Sequence, residues 1–335
     1  MTVSKFEKYA FQNDGEFYAS MLWIKLLEIL DPPQAELFLK DYGDYIPLNE
    51  MVKFTQEKFL RKSGQRWALE NYNEFDPTIK SKLERLLRES DLLDTIPMPH
   101  KSHSVLFLGT SSANIFKRAF HLYNEITLEN KLVEQVIVLG NTEPYDSYID
   151  TIKEIISLYP NMFRDGFRAE EVPSSITMHD TMMIVLDNLN WPEGKKPAFL
   201  ELAVKHPCNT NDEINTVTDY LSSKETGITQ FGHFRKSGEE KVYQVTILSH
   251  QPFNDRQGIT ALAGFIKAKL TQKYLIEATG CGLDSWPQLT SFPASNMSAA
   301  QILDNLARTL YEINQNKELL PWTSMSKSHV SEFGL

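Results

Sequence analysis

From Ser104 onward the chain repeats one design: a short apolar run ends in small polar residues, and a helical pattern follows. Ser-Val-Leu-Phe-Leu-Gly-Thr110 leads into Ile115, Ala119, Leu122, Tyr123 and Ile126 at helical spacing. Gln-Val-Ile-Val-Leu-Gly-Asn141 leads into a second amphipathic stretch, residues 148–159. Residues 178–189 read as helix, 197–202 as extended, 209–221 as helix, 243–248 as strand, 258–270 as helix and 274–278 as a last strand. Runs of this length that are apolar at every position suit strands buried on both faces, which is the condition of a parallel sheet covered by helices. The pattern predicts an α/β fold: a Rossmann-like three-layer α/β/α domain with a mainly parallel sheet, over residues 98–285.

Residues 1–97 read differently. Residues 17–30 are apolar around most of a helical circumference and stop at Asp31-Pro32-Pro33, where proline cannot continue a helix. Asp76-Pro77 pairs a capping residue with proline at the first helical position, and Ile79, Leu83, Leu86 and Leu87 then mark one face. No strand-like alternation precedes Ser104, so this region is expected to be all-helical, with Trp23, Trp67 and Tyr72 in its core or at its seam with the sheet. Pro97-Met98-Pro99 reads as a linker. Residues 286–335 are expected to form a C-terminal helix over 298–315, signalled by Asn296 and Ser298, and a loose tail.

Charge narrows the function classes. Lys and Arg number 34 against 44 Asp and Glu, a net charge of −10, which argues against a nucleic-acid-binding surface. Two cysteines, Cys208 and Cys281, make no disulfide framework and point to a reducing compartment. The apolar stretch 21–30 carries two charges and is too short to span a bilayer, and the N-terminus has no basic and apolar leader pattern. The expectation is a cytoplasmic protein with no membrane partner.

In open α/β sheets ligands bind outside the carboxyl ends of the strands. Four such ends are rich in small polar residues. Gly109, Thr110, Ser111 and Ser112 offer free amides and hydroxyls at a helix start, suited to an anion or to capping the helix. Gly140 and Asn141 end the second strand, where a turn would use the same residues. Asn209 and Thr210 precede Asp212 and Glu213, a good cap with more polar groups than one cap needs. Gln251 and Arg256 follow the fourth strand, and the arginine's planar fork could hold a phosphate or carboxylate. If the protein is an enzyme, Asp212 or Glu213 would be its catalytic acid–base group. No metal site is expected: His206-Pro-Cys208 and His100-x-x-His103 lack a second ligand pair at zinc spacing. Ser249-His250 lacks a nucleophile elbow, and Cys208 is best read as a small helix-start residue.

The last two motifs, in this order and spacing, resemble the SanA/ElyC/YdcF family, over roughly residues 103–280. Residues 105–109 with Lys117-Arg118 and Leu122-Tyr123 are similar to its opening strand, loop and arginine-bearing helix. Val136 to Gly140 matches its second strand. Pro207-Cys208-Asn209-Thr210-Asn211-Asp212-Glu213 approaches its Ser-x-Asn-Thr-x-Glu-Asn motif, with proline in place of the serine. Val245 to Ser249 followed by Gln251-Pro252-Phe253-Asn254-Asp255-Arg256 has the form of its final motif. The cytosolic YdcF branch is the most similar. The resemblance implies a strand-end pocket that binds S-adenosylmethionine or a similar nucleotide-like molecule, with no established methyl transfer. The glycine-rich methyltransferase loop is absent.

Together these readings lead to an expected small-molecule-binding protein whose ligand is S-adenosylmethionine or another nucleotide-like or phosphorylated compound. Gly109 to Ser112 with Asn209 and Thr210 would cradle its anionic part, Arg256 would neutralise it, and Arg118 would be a second cation. The competing expectation is an interaction module with a degenerate pocket, binding a protein partner through residues 1–97.

Overall fold

The computed structural model describes residues 4–60, 76–142, 149–173, 176–205, 209–228, 242–283 and 299–322. The chain divides into two compact units, residues 1–94 with 297–335 and residues 95–296.

The first unit opens with a short helix α1 (Ser4–Glu7), then an antiparallel hairpin of β1 (Ala10–Asn13) and β2 (Glu16–Ala19). This corrects the all-helical expectation. Asp14 and Gly15 both take positive φ, +50° and +84°. That matches the two-residue hairpin turn whose twist suits the flanking strands, and Asp-Gly is its favoured sequence. Residues 17–19 therefore belong to a strand, Ser20 is extended, and helix α2 (Met21–Leu30) covers only the remainder of the expected 17–30 helix. The buried Trp23 donates its indole N–H to the Tyr9 carbonyl at 3.0 Å, tying α2 to the segment before β1. Helices α3 (Pro32–Tyr42) and α4 (Leu48–Phe59) follow. Helix α5 (Pro77–Glu89) starts as the sequence predicts: the Asp76 carboxylate accepts from the Thr78 amide at 2.7 Å, and Leu83, Leu86 and Leu87 are buried. Trp67 and Tyr72 lie outside the described residues.

The second unit is the α/β domain, with β3 (Lys101–Leu108), α6 (Ser112–Thr127), β4 (Leu132–Leu139), α7 (Ile149–Leu158), α8 (Met178–Asn188), β5 (Ala198–Glu201), α9 (Thr210–Ile228), β6 (Tyr243–His250), α10 (Asn254–Lys267) and β7 (Tyr274–Cys281). The five strands pair in parallel throughout, in the order β5-β4-β3-β6-β7. This is the Rossmann-like three-layer fold that the buried runs predict. Val105, Phe107, Val136 and Val138 pack with residues of α6, α7 and α8 in one core, while α9 and α10 pack together, the Gly264 backbone against Ile214. The chain steps outward from β3 to β5, then returns through α9 to place β6 beside β3. The direction of winding thus reverses between β3 and β6, and the crevice outside their carboxyl ends is the switch point of the sheet.

Pro97-Met98-Pro99 belongs to this domain. Ile96 exchanges two backbone hydrogen bonds with Gly280 on the outer edge of β7, and the buried Met98 donates its N–H to Glu125 at 3.1 Å. The C-terminal helix α11 (Ala299–Asn316) groups with the first unit, where the Gln56 side-chain amide donates to the Ala307 carbonyl at 3.1 Å. The proposed cap at Asn296 and Ser298, and the tail beyond residue 322, lie outside the described residues.

Candidate functional site at the strand ends

At the end of β3, Gly109 is bracketed by α8 and α9. A Cβ built there would lie 2.5 Å from the Met178 sulfur and 2.7 Å from a Glu213 carboxyl oxygen, so any other residue would have to push these two side chains aside. The Gly109 amide donates to Glu213 at 2.8 Å, so that the chain supplies a carboxyl where the sequence suggests an external anion. Thr110 is partly exposed. Ser111 occupies the N-cap position of α6 without a side-chain cap bond, and its hydroxyl instead accepts from the Asn114 side chain at 3.0 Å. Ser112 is the first helical residue.

Helix α6 carries two cations among apolar neighbours. Ile115, Phe116, Ala119 and Phe120 are buried, and so are Lys117 (5 % exposed) and Arg118 (1 %). The Arg118 guanidinium is held by three neutral acceptors: His250 Nδ1 at 3.1 Å, the Leu108 carbonyl at 2.7 Å and the Gln257 side-chain oxygen at 3.1 Å. Gln257 also accepts from the Ser249 hydroxyl at 2.5 Å. Burial brings Arg118 down to about 10, against the opposing pull of Glu213. Burial likewise lowers Lys117, which among the described residues makes no hydrogen bond or ion pair.

Because Arg118 donates to Nδ1, the neutral His250 ring carries its proton on Nε2. That Nε2 is buried and has no partner. Burial, and then the nearby Arg118, Lys117 and Arg256, hold His250 well below its ordinary value, so that it stays neutral. Asn254, fully buried at the start of α10, has neither side-chain atom hydrogen-bonded. Arg256 is partly buried, its guanidinium 5.4 Å from the Phe253 ring centre, and its charge acts on both Arg118 and His250. Gln251 is buried, its backbone N–H donating to the Cys281 carbonyl at 2.9 Å.

Helix α9 contributes two carboxyl groups. Asn209 caps the helix: its side-chain oxygen accepts from the Asn211 and Asp212 amides at 2.8 and 3.3 Å, and its own amide donates to Asp212 at 2.8 Å. Asp212 therefore completes a capping box at the rim, Thr210 is partly exposed, and Glu213 turns inward, 3 % exposed. Burial raises the Glu213 carboxyl to about 8, against the lowering effect of the Gly109 amide and Arg118. His206, Pro207 and Cys208 lie outside the described residues.

Gly140 and Asn141 serve a different contact. A Cβ on Gly140 would sit 2.6 Å from the His179 Cα, and the Asn141 carbonyl accepts the His179 amide at 3.1 Å, so both residues seat the start of α8 on β4. His179 in turn pairs with Glu201, at the end of β5, at 3.1 Å. The structure thus brings Gly109, Arg118, Glu213, Gln251 and Arg256 to the switch point and engages Gly140 and Asn141 in packing. The sequence reading gave no binding role to Lys117, His250, Asn254 or Gln257. The available signal for the first was a lysine and an arginine side by side on an otherwise apolar helix face.

His103 is paired with Glu134 at 2.7 Å on the surface, and among the described residues no three His, Cys, Asp or Glu side chains gather as a metal-holding group. A separate concavity of about 300 Å³ is lined by Asn161, Arg164, Phe167 and Asn190, but Arg164 already bonds Asn188 at 2.6 Å. Among the described residues no helix is long and apolar enough to cross a membrane. Comparisons with models of known protein families, with curated proteins and with solved structures returned no match. What fold and site define is an α/β protein with a buried arginine, lysine and imidazole grouped near the switch point of a parallel sheet.

Proposed function

We propose that the chain is a small-molecule-binding protein whose ligand presents an anionic group to the crevice between the ends of β3 and β6. The ligand class is that of S-adenosylmethionine and other nucleotide-like or phosphorylated compounds. One observation carries this reading: Arg118 is buried and held in place, yet every partner that holds it is neutral. Burying an ion without a counter-ion costs several kcal/mol, roughly, after relaxation, and such an arrangement persists where a charge is there to be met. Glu213 is the nearby carboxyl that acts on it, and burial keeps that carboxyl protonated up to about pH 8. A carboxyl that retains its proton at neutral pH is suited to donating it to a bound molecule.

Thermal unfolding against S-adenosylmethionine, nucleotides, nucleotide sugars and phosphorylated sugars tests the reading. A ligand at 100 times its Kd adds about 2.7 kcal/mol, a shift of several degrees for a unit of this size. Arg256→Ala should remove the shift while leaving the melting temperature of the free protein nearly unchanged. A variant that binds as well as the wild type would remove Arg256 from the site.

A further inference from the structure

Resting on that anion-binding reading, we propose that the group the crevice receives is a phosphoryl group, best a diphosphate, and that a sulfonium such as S-adenosylmethionine is disfavoured. The reason is the number and kind of donors around one imidazole. Arg118 from α6 donates to His250 Nδ1 at 3.1 Å, and the charges of its neighbour Lys117 and of Arg256 on α10 act on the same ring. Two of these three are more than nine-tenths buried, and Lys117 makes no hydrogen bond or ion pair among the described residues. His250 adds an unpartnered Nε2–H, and the fully buried Asn254 an unpartnered amide.

A carboxylate brings two oxygens and one charge to such a set. A phosphoryl group brings three oxygens arranged tetrahedrally and close to two charges, and a diphosphate more of both, so it can satisfy more than one of these donors at once. S-adenosylmethionine carries a sulfonium and an ammonium against one carboxylate, and would set cation against cation. The acids near these groups do not reverse the balance. Glu213 faces the Gly109 amide and Arg118, Asp212 is committed to the start of α9, and Cys281 on β7 is a buried thiol raised to about 11.

The test uses the full chain and five probes at matched concentration: inorganic pyrophosphate, adenosine diphosphate, malonate, adenosine and S-adenosylmethionine, read by thermal unfolding and by calorimetric titration. Pyrophosphate and adenosine diphosphate should bind at least tenfold more tightly than the other three. Lys117→Met, which keeps the stem and removes an unpaired ammonium, should fold at least as stably as the wild type and lose tenfold or more of the pyrophosphate affinity. If malonate or S-adenosylmethionine binds best, and Arg256→Ala abolishes that binding, the anion crevice stands and the phosphoryl assignment is overturned. If pyrophosphate binds Lys117→Met and Arg256→Ala undiminished, its site is elsewhere and the proposal fails. If none of the five binds, the proposal and the reading beneath it both fail.

Discussion

Glu213 and His250 are two buried titratable groups whose charges interact with Arg118, and their burial acts in opposite directions with pH. Glu213 is raised to about 8 from an ordinary 4.5, so the folded chain keeps this proton to higher pH than the unfolded chain does. The stability linked to it is complete below pH 4.5 and is lost as pH rises through 8. His250 is lowered below its ordinary 6.5, so its contribution is present above 6.5 and lost as pH falls. Glu213→Gln should therefore gain on the wild type as pH rises from 5 to 8, measured as the difference in unfolding free energy in urea at each pH. A constant difference across that range would mean that Glu213 is ionised in the native state. The direction of both effects follows from burial alone, because desolvation penalises the charged form of either group.

Among the elements, α8 and α9 hold the strand ends closed, and glycines mark where they approach. Gly140→Ala would place a methyl group against the His179 backbone, 2.6 Å from its Cα, where no side-chain rotation relieves the clash. A loss of about 1–3 kcal/mol is expected, the usual cost of overpacking. At Gly109 the nearest atoms are the flexible end of Met178 and the Glu213 carboxyl, so alanine there should destabilise less and disturb Glu213 more. Chemical unfolding of both variants checks the ranking, which is reversed if α8 shifts freely. At the start of α9, Asn209→Ala removes a cap whose loss typically costs ~1 kcal/mol, and Glu213 would lose its fixed entry angle with it.

At the scale of the whole molecule, two units with separate cores share one chain, and the candidate site draws its residues from residues 95–296 alone. Ligand binding should accordingly slow amide exchange in three separate segments, 109–118, 209–214 and 249–257. Protection confined to a single one of them would show that the crevice does not close around the ligand as a set.

Within the α/β unit the strands were legible in the sequence because a parallel strand buried on both faces must be apolar at every position, and local composition records that requirement. The start of α5 was legible for a similar reason, since a cap and a proline act within one turn. The β1–β2 hairpin is hidden in the sequence: residues 17–19 continue the apolar stretch that leads into α2, and the deciding signal, Asp14-Gly15, lies outside that stretch. The strand-end glycines and polar residues were recognisable as a group, but their division was not. Gly140 and Asn141 went to packing, and Gly109, Arg118 and Arg256 to the switch point, according to where α8 and α9 came to rest. Arg118 meets His250 and Gln257 across 132 and 139 residues of chain. Nothing local to any of these residues encodes the others, because their meeting point is set by the order of the strands. Sequence by itself thus determined the layers, which depend on burial position by position. Only the tertiary structure decided which charges would share a site, since that depends on strand order and on the distances the fold leaves between them.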